Sequence, residues 1–393
     1  MKEAGNFREK KLIWIMTGIV FLYGVACMYL YYHQLFFVEG GRFESDLPFH
    51  VRMAVEDYWY YSLTALLYQL FYFTPWGNGL TAFFLAAVSA ATVYASACLL
   101  HRLTGEQYSY AEMLLFAFTG EFIMPFFLRW AHFQRYIGYE SASIWHNSTY
   151  ICMKLAGILT FSCFLKLRDS YSEGIRWKEW VTFAFLLILC NGIKPSFCMI
   201  FAPAMAVFLL AELFRGVPFR KVFLFGMAVV PSLVVILWQN VVLFGEDTGN
   251  GIVLNPGYAL SLRGSHPKVT FILSIAFPLF VLLFSLKELL RDARYRFIWF
   301  MWLFGFLEVF LFSEAGSRAK DSNFFWGYSM AVFFVNLASM EKLLTKGRSK
   351  DGMFGKKLFR YFFVSAGAIC LAYQVWCGLY FFGRLLTGES YWM

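Results

Sequence analysis

The sequence predicts an all-α, polytopic membrane protein, and three observations carry that expectation. Of its 393 residues, 60% are hydrophobic and only 15% charged, giving a mean hydropathy of +0.57, more apolar surface than a soluble fold hides. Apolar runs recur along the whole chain with short polar gaps between them. Lys and Arg gather in alternate gaps, as topology determinants do, so the net charge of +9 implies no nucleic acid partner. The chain therefore reads as a single transmembrane domain over 1–393, with no separate soluble domain. All eight cysteines fall in or at the ends of apolar runs without metal-ligand spacing, which argues against a disulfide framework or a zinc site.

The first run, Leu12 to Tyr32, follows Arg8, Lys10 and Lys11. It is long for a signal-peptide core and no small-x-small cleavage site follows it, so it reads as a retained helix. With about 20 apolar residues needed per crossing, the chain offers about eleven, over 11–32, 78–101, 109–129, 148–167, 178–191, 195–214, 220–244, 269–289, 295–313, 323–343 and 359–384. Asn191-Gly192 before Pro195 makes a tight re-entry between the fifth and sixth. Tyr58 to Phe73 reads as an interfacial or half-inserted helix, because two full crossings there would invert every later loop.

With the N-terminus inside, inner segments hold 23 Lys or Arg and outer segments 10, which predicts a cytoplasmic N-terminus in a plasma membrane. That orientation turns His33, His50, His132, His146 and His266 outward. Glu121, Lys154 and Glu308 then lie within the outer parts of the third, fourth and ninth helices. A charge at the bilayer centre costs roughly 2.5–3.5 kcal/mol on insertion scales. Their shared side therefore points to a cavity open outward.

The outer loop 33–77 is expected to carry interfacial helices and begins FFVEGGRFESDLPFHVRMAVED over Phe36 to Asp57. Gly40-Gly41 signals a turn. Ser45 or Asp46 can cap a helix with Pro48 in its first turn, placing Asp46 and His50 on one face. Alternation of Phe49, Val51, Met53 and Val55 with Arg52, Glu56 and Asp57 suits a helix on the membrane surface. Glu44 and Asp46 put two carboxylates together with His50 and Arg52 in reach. Such a pair can split its pKa values, accept a proton from a hydroxyl, or offer oxygens to a divalent cation.

This arrangement resembles the GT-C glycosyltransferases, polytopic enzymes that transfer a sugar from a polyprenyl-phosphate carrier on the outer membrane face. Their mark is a D-x-D, E-x-D or paired acidic motif in the first outer loop, and Glu44, Ser45 and Asp46 match it. Ile193-Lys194-Pro195-Ser196, between short apolar runs, is similar to the Lys-Pro turn of many such sequences. The resemblance implies hexosyl or pentosyl transfer to a glycan, lipid or protein acceptor in the cell envelope. It makes Asp46 the first choice for catalytic base and Glu44 the second, with a divalent cation at Glu44 and Asp46 a further expectation. The soluble C-terminal domain of some members is not expected here, which leaves acceptor choice unassigned.

A lipid phosphate leaving group needs cations, and arginine holds phosphate bidentately where lysine acts as a point charge. Candidates for substrate contacts are His50, Arg52, His132, Arg135, His146, Asn147, Lys194, Arg318 and Lys320. His132, Arg135, His146 and Asn147 lie in RWAHFQRYIGYESASIWHNSTY, whose Trp and Tyr equally suit an interfacial aromatic belt. Arg318 and Lys320 lie in SEAGSRAKDSNFFWGY. Asn147-Ser148-Thr149 also fits a glycosylation acceptor, but it abuts a helix. Two other functions compete: a transporter or flippase of a lipid-linked or amphipathic substrate, and a membrane O-acyltransferase using His146. A transporter would favour internal repeats and polar residues near the midplane, and neither is evident.

Overall fold

A computed structural model describes residues 2–36, 41–136, 138–244, 251–264, 266–349 and 355–392. The first part comprises α1 (Lys2–Phe36), α2 (Leu47–Val55), α3 (Leu63–Tyr72), α4 (Gly77–Leu103), α5 (Tyr110–Gly120) and α6 (Ser148–Arg168). Then follow α7 (Trp177–Ile193), α8 (Ser196–Phe214), α9 (Phe219–Gly226) and α10 (Val230–Phe244). The last part holds β1 (Gly251–Leu254), α11 (Tyr258–Ser261), α12 (Pro267–Ser274), α13 (Ala276–Leu283), α14 (Leu286–Arg291), α15 (Ala293–Leu311), β2 (Phe312–Ala315), α16 (Phe325–Arg348) and α17 (Lys357–Leu386). The fold is that of an all-α membrane protein.

Among the described residues, six helical spans are long and apolar enough to cross a membrane: Glu9–Phe36, Gly77–Leu103, Ser148–Arg168, Ser196–Phe214, Phe219–Val242 and Lys357–Leu386. The expected count of about eleven is thus corrected. Helix α16 shows why a ruler of apolarity fails, because its residues are buried without interruption from Gly327 to Leu343. Facing protein on every side, it carries Ser329, Asn336, Ser339, Glu341 and Lys342 without exposing them to lipid. Helix α3, ten residues long, rises about 15 Å, too short to span the core.

Two expected helices are broken. The segment 109–129 is helical only to Gly120, and Pro125 follows a stretch where the residue before proline avoids helix. Buried irregular backbone must find partners, and Gln374 of α17 supplies them. Its carbonyl accepts from Met124 N at 3.2 Å, and its Nε2 donates to Met124 O at 2.7 Å. Gly378, one turn on, lacks the Cβ that would collide with the Phe122 carbonyl. The segment 269–289 is divided among α12, α13 and α14. There Pro278 sits early in α13, and Gln374 Oε1 accepts from Phe277 N at 2.9 Å.

The core is aromatic. Phe164 packs on Phe297 at 4.6 Å and edge-on to Phe201 at 5.1 Å between ring centroids, joining α6, α8 and α15. Within this bundle Lys154 donates to Glu121 at 2.8 Å, both side chains 6% exposed. Glu121 is the C-cap of α5 and not a residue within a helix, and Glu308 is buried in the last turn of α15. The three charges are therefore buried, two of them paired, and Glu121 and Lys154 line a small cavity with Tyr23, Ser89 and Trp145.

The bundle has two polar ends. At one, Asp169 after α6 meets Arg102 of α4 at 3.0 Å and Arg294 of α15 at 3.2 Å, while Lys342 of α16 meets Asp292 at 2.7 Å. The helices' opposite ends bring together α2, the 129–147 loop, the α7–α8 turn, the start of α16 and the tail after α17. A short antiparallel pair ties that end: β1 and β2 run Gly251 opposite Ala315 to Leu254 opposite Phe312. Four-residue strands are too short to announce themselves in sequence. Gly41 adopts a left-handed φ of 74°, as a glycine turn requires, whereas its expected companion Gly40 lies outside the described residues.

Candidate active site

The chain approaches α2 so that the Asp46 carboxylate is left free of capping. Asp46 holds the N-cap position with helical φ and ψ, and its side chain bonds no helix amide. Ser45 Oγ instead accepts from Leu47 N at 2.9 Å. The expected cap is thus Ser45's local bond, and the carboxylate of Asp46 accepts from Asn147 Nδ2 at 2.9 Å. A backbone bond from Asp46 N to His146 O, 3.2 Å, fixes the two loops together.

Asn147 is doubly committed. It caps α6 through Oδ1, which accepts from Tyr150 N at 3.0 Å and Thr149 Oγ1 at 2.8 Å. At 3% exposure it offers no access for glycosylation. One turn into α2, His50 Nδ1 lies 3.1 Å from Ser148 Oγ. Lys194 closes the group: extended before Pro195 with φ −161° and ψ 125°, it donates through Nζ to Thr149 Oγ1 at 3.1 Å. Its ammonium lies 4.7 Å from the Trp326 ring centre, a cation–π contact. His146 stacks on Tyr391 with centroids 4.1 Å apart and planes 3° apart, and meets the Tyr136 edge at 4.8 Å.

Burial sets the charges here. It pushes His50 and His146 down to about 4, against the opposing pull of Asp46, so both imidazoles are neutral at pH 7. Lys194 is lowered to about 8, burial again leading, with Asp46 supporting its charge and Arg318 opposing it. The Tyr391 phenol is pushed up by burial and by Asp46 and Glu44. The cluster thus holds an oriented carboxylate, two neutral imidazoles and an ammonium near its titration point.

Five of the residues expected from sequence converge: Asp46, His50, His146, Asn147 and Lys194. Arg318 acts on Lys194 electrostatically and lies 3.4 Å from both Glu314 and Asp321. Glu44 turns elsewhere, its Oε2 accepting from Ser390 Oγ at 2.7 Å. Glu44 thus turns to Ser390 and Asp46 to Asn147, and among the described residues no group of three His, Cys, Asp or Glu forms around them. Arg52 is exposed and rests over Phe49 at 5.6 Å. His132 stacks on Phe133 at 4.9 Å, its ring pressed by the backbones of Gly138 and Gly264. Arg135 lies between Phe127 at 4.2 Å and Tyr380 at 4.4 Å, and Lys320 is exposed. These four have packing or surface surroundings apart from Asp46.

Sequence reasoning missed Tyr391, Thr149 and Trp326 as members. Trp326 lies in SEAGSRAKDSNFFWGY, where the charged residues drew the reading, and Tyr391 comes from the segment after α17, where the Gly388 turn and the Tyr391-Trp392 pair signal structure.

Comparison with protein-family models and with curated proteins finds no match to this chain. Fold and site together define an all-α membrane protein with a half-buried carboxylate and ammonium beside a buried imidazole at one end of its bundle.

Proposed function

We propose that the chain is a membrane glycosyltransferase that moves a hexosyl or pentosyl group from a polyprenyl-phosphate carrier to an acceptor hydroxyl. The observation that carries this reading is the Asp46 carboxylate, oriented by Asn147 at 2.9 Å and in the field of Lys194. A hydroxyl attacking the anomeric carbon must lose its proton, and a fixed carboxylate accepts it. As the new C–O bond forms, the bond to the phosphate breaks and the carrier phosphate leaves with the electron pair. Lys194 and Arg318 supply positive charge for that phosphate. His50, His146, Tyr391 and Trp326 give the sugar aromatic and hydrogen-bonding walls.

The excess of Lys and Arg in alternate segments, 23 against 10, favours a cytoplasmic N-terminus with this end of the bundle outside a plasma membrane. The acceptor is a glycan, lipid or protein of the cell envelope.

The test is reconstitution in vesicles with a panel of polyprenyl-phosphate sugars and a radiolabelled product assay. Product from the wild type, about a hundredfold less from Asp46→Asn, and a much smaller loss in His146→Gln than in Asp46→Asn support the transferase. Acyl transfer that needs His146, or transport without product, supports instead one of the two rival functions.

A further inference from the structure

Glu140 and Arg263 form a second polar pair close to the site, and the proposed transfer step does not use it. Glu140 lies in the loop that leads to His146, its amide donating to Ser274 Oγ at 2.8 Å. Its carboxyl is 6% exposed as a residue, with Oε1 3.2 Å from Arg263 Nε. The guanidinium lies over the Phe325 ring at 3.9 Å, one residue before Trp326. Yet neither Glu140 Oε1 nor Arg263 Nε makes an aligned hydrogen bond among the described residues. Charge holds the two together while a buried acceptor and a donor stay unfilled, which is costly unless a ligand completes them.

Tyr136 connects this pair to Asp46. Its half-buried ring meets His146 edge-on at 4.8 Å, and its phenol feels Glu140, Arg263 and Asp46 alike. Burial raises the Glu140 carboxyl to about 7 although Arg263 opposes it. A free anion such as phosphate would meet that carboxylate and be repelled. A vicinal diol presents a donor and an acceptor at the spacing of a carboxylate beside a guanidinium, and an aromatic ring face suits the C–H face of a sugar.

We infer that Glu140, Arg263 and Tyr136 form a hydroxyl-recognition subsite that grips a sugar ring beside Asp46, reading the pattern of its neutral hydroxyls. Within the proposed transferase it is the determinant of which sugar is accepted, and it rests on that reading only for the ligand's role. Glu140 and Arg263 are positioning residues, since neither touches the reacting bond.

Binding is measured apart from turnover. Saturation-transfer NMR on the full chain in detergent, with methyl glycosides of glucose, galactose, mannose, rhamnose and xylose and with inorganic phosphate, reads the subsite directly. At least one glycoside saturates the wild type and phosphate does not compete. Glu140→Gln and Arg263→Gln each raise the half-saturating concentration at least about fivefold, with Arg263→Lys intermediate and every variant compared at a temperature below the onset of its own unfolding. Absence of any glycoside signal in the wild type, unchanged binding in both variants, or displacement by phosphate overturns the subsite. Asp46→Asn, which removes the base, keeps glycoside binding, so failure of the catalytic reading is seen separately as transfer that persists without Asp46.

Discussion

Asn147 Nδ2 donates to the Asp46 carboxylate at 2.9 Å across 101 residues of sequence, while the same side chain's Oδ1 caps α6. One amide thus holds a helix start and a carboxylate together, which separates two roles experimentally. Serine caps helices about as well as asparagine but has no reach to Asp46. Asn147→Ser therefore keeps unfolding free energy within about 0.5 kcal/mol and lowers transfer about tenfold, because the base loses its orientation. Equal transfer at equal stability would remove the Asn147 bond from catalysis.

Lys194, lowered to about 8, predicts the alkaline limb of the pH profile. Transfer that needs its ammonium drops to about one tenth by pH 9, one unit above the titration point. The stability sign is opposite. Between about 8 and its ordinary 10.5 the folded state has released a proton that the unfolded state still binds, so this group's contribution to stability rises with pH. Activity lost there without a fall in melting temperature identifies Lys194, and Lys194→Arg moves the limb upward.

Gln374 satisfies three backbone groups of two broken segments. Gln374→Leu keeps the volume and strands the Met124 carbonyl and the Phe277 amide, each worth roughly 1–3 kcal/mol when buried unpaired. Thermal unfolding should show a loss of about 2–6 kcal/mol, and a loss under about 1 kcal/mol would mean that those segments rearrange freely.

Lys154 and Glu121 are both buried and joined at 2.8 Å. Removing one charge leaves the other uncompensated at a cost of about 3–5 kcal/mol, whereas replacing both is near neutral. Lys154→Met should therefore destabilise strongly, and Glu121→Leu added to it should restore most of the loss. A double variant as unstable as the single one would contradict a purely paired role.

Much of the fold and site is legible because local rules fix it. Runs such as 78–101 and 148–167 carry their own length and apolarity, and the Ser45-Asp46-Leu47-Pro48 stretch starts its helix from local chemistry. Asp46, His50, His146, Asn147 and Lys194 stand out as polar residues beside apolar runs. What stays hidden is tertiary. Gln374 reads as one polar residue in an apolar helix, and only Pro125 and Pro278 hint at the backbone it serves. Glu44 looks equivalent to Asp46 until the tail brings Ser390 to it, and Arg135 looks like a phosphate ligand until Phe127 and Tyr380 enclose it. Helix α16 reads as one more crossing, although it is not among the six apolar spans and its polar side chains are tolerated because protein surrounds them.

The most direct measurement is the single-turnover rate of sugar transfer from a polyprenyl-phosphate donor, compared between the wild type and Asp46→Asn in the same vesicles. The account predicts product from the wild type, a rate about 100-fold or more lower in the variant, and matched melting temperatures. Equal rates would contradict it.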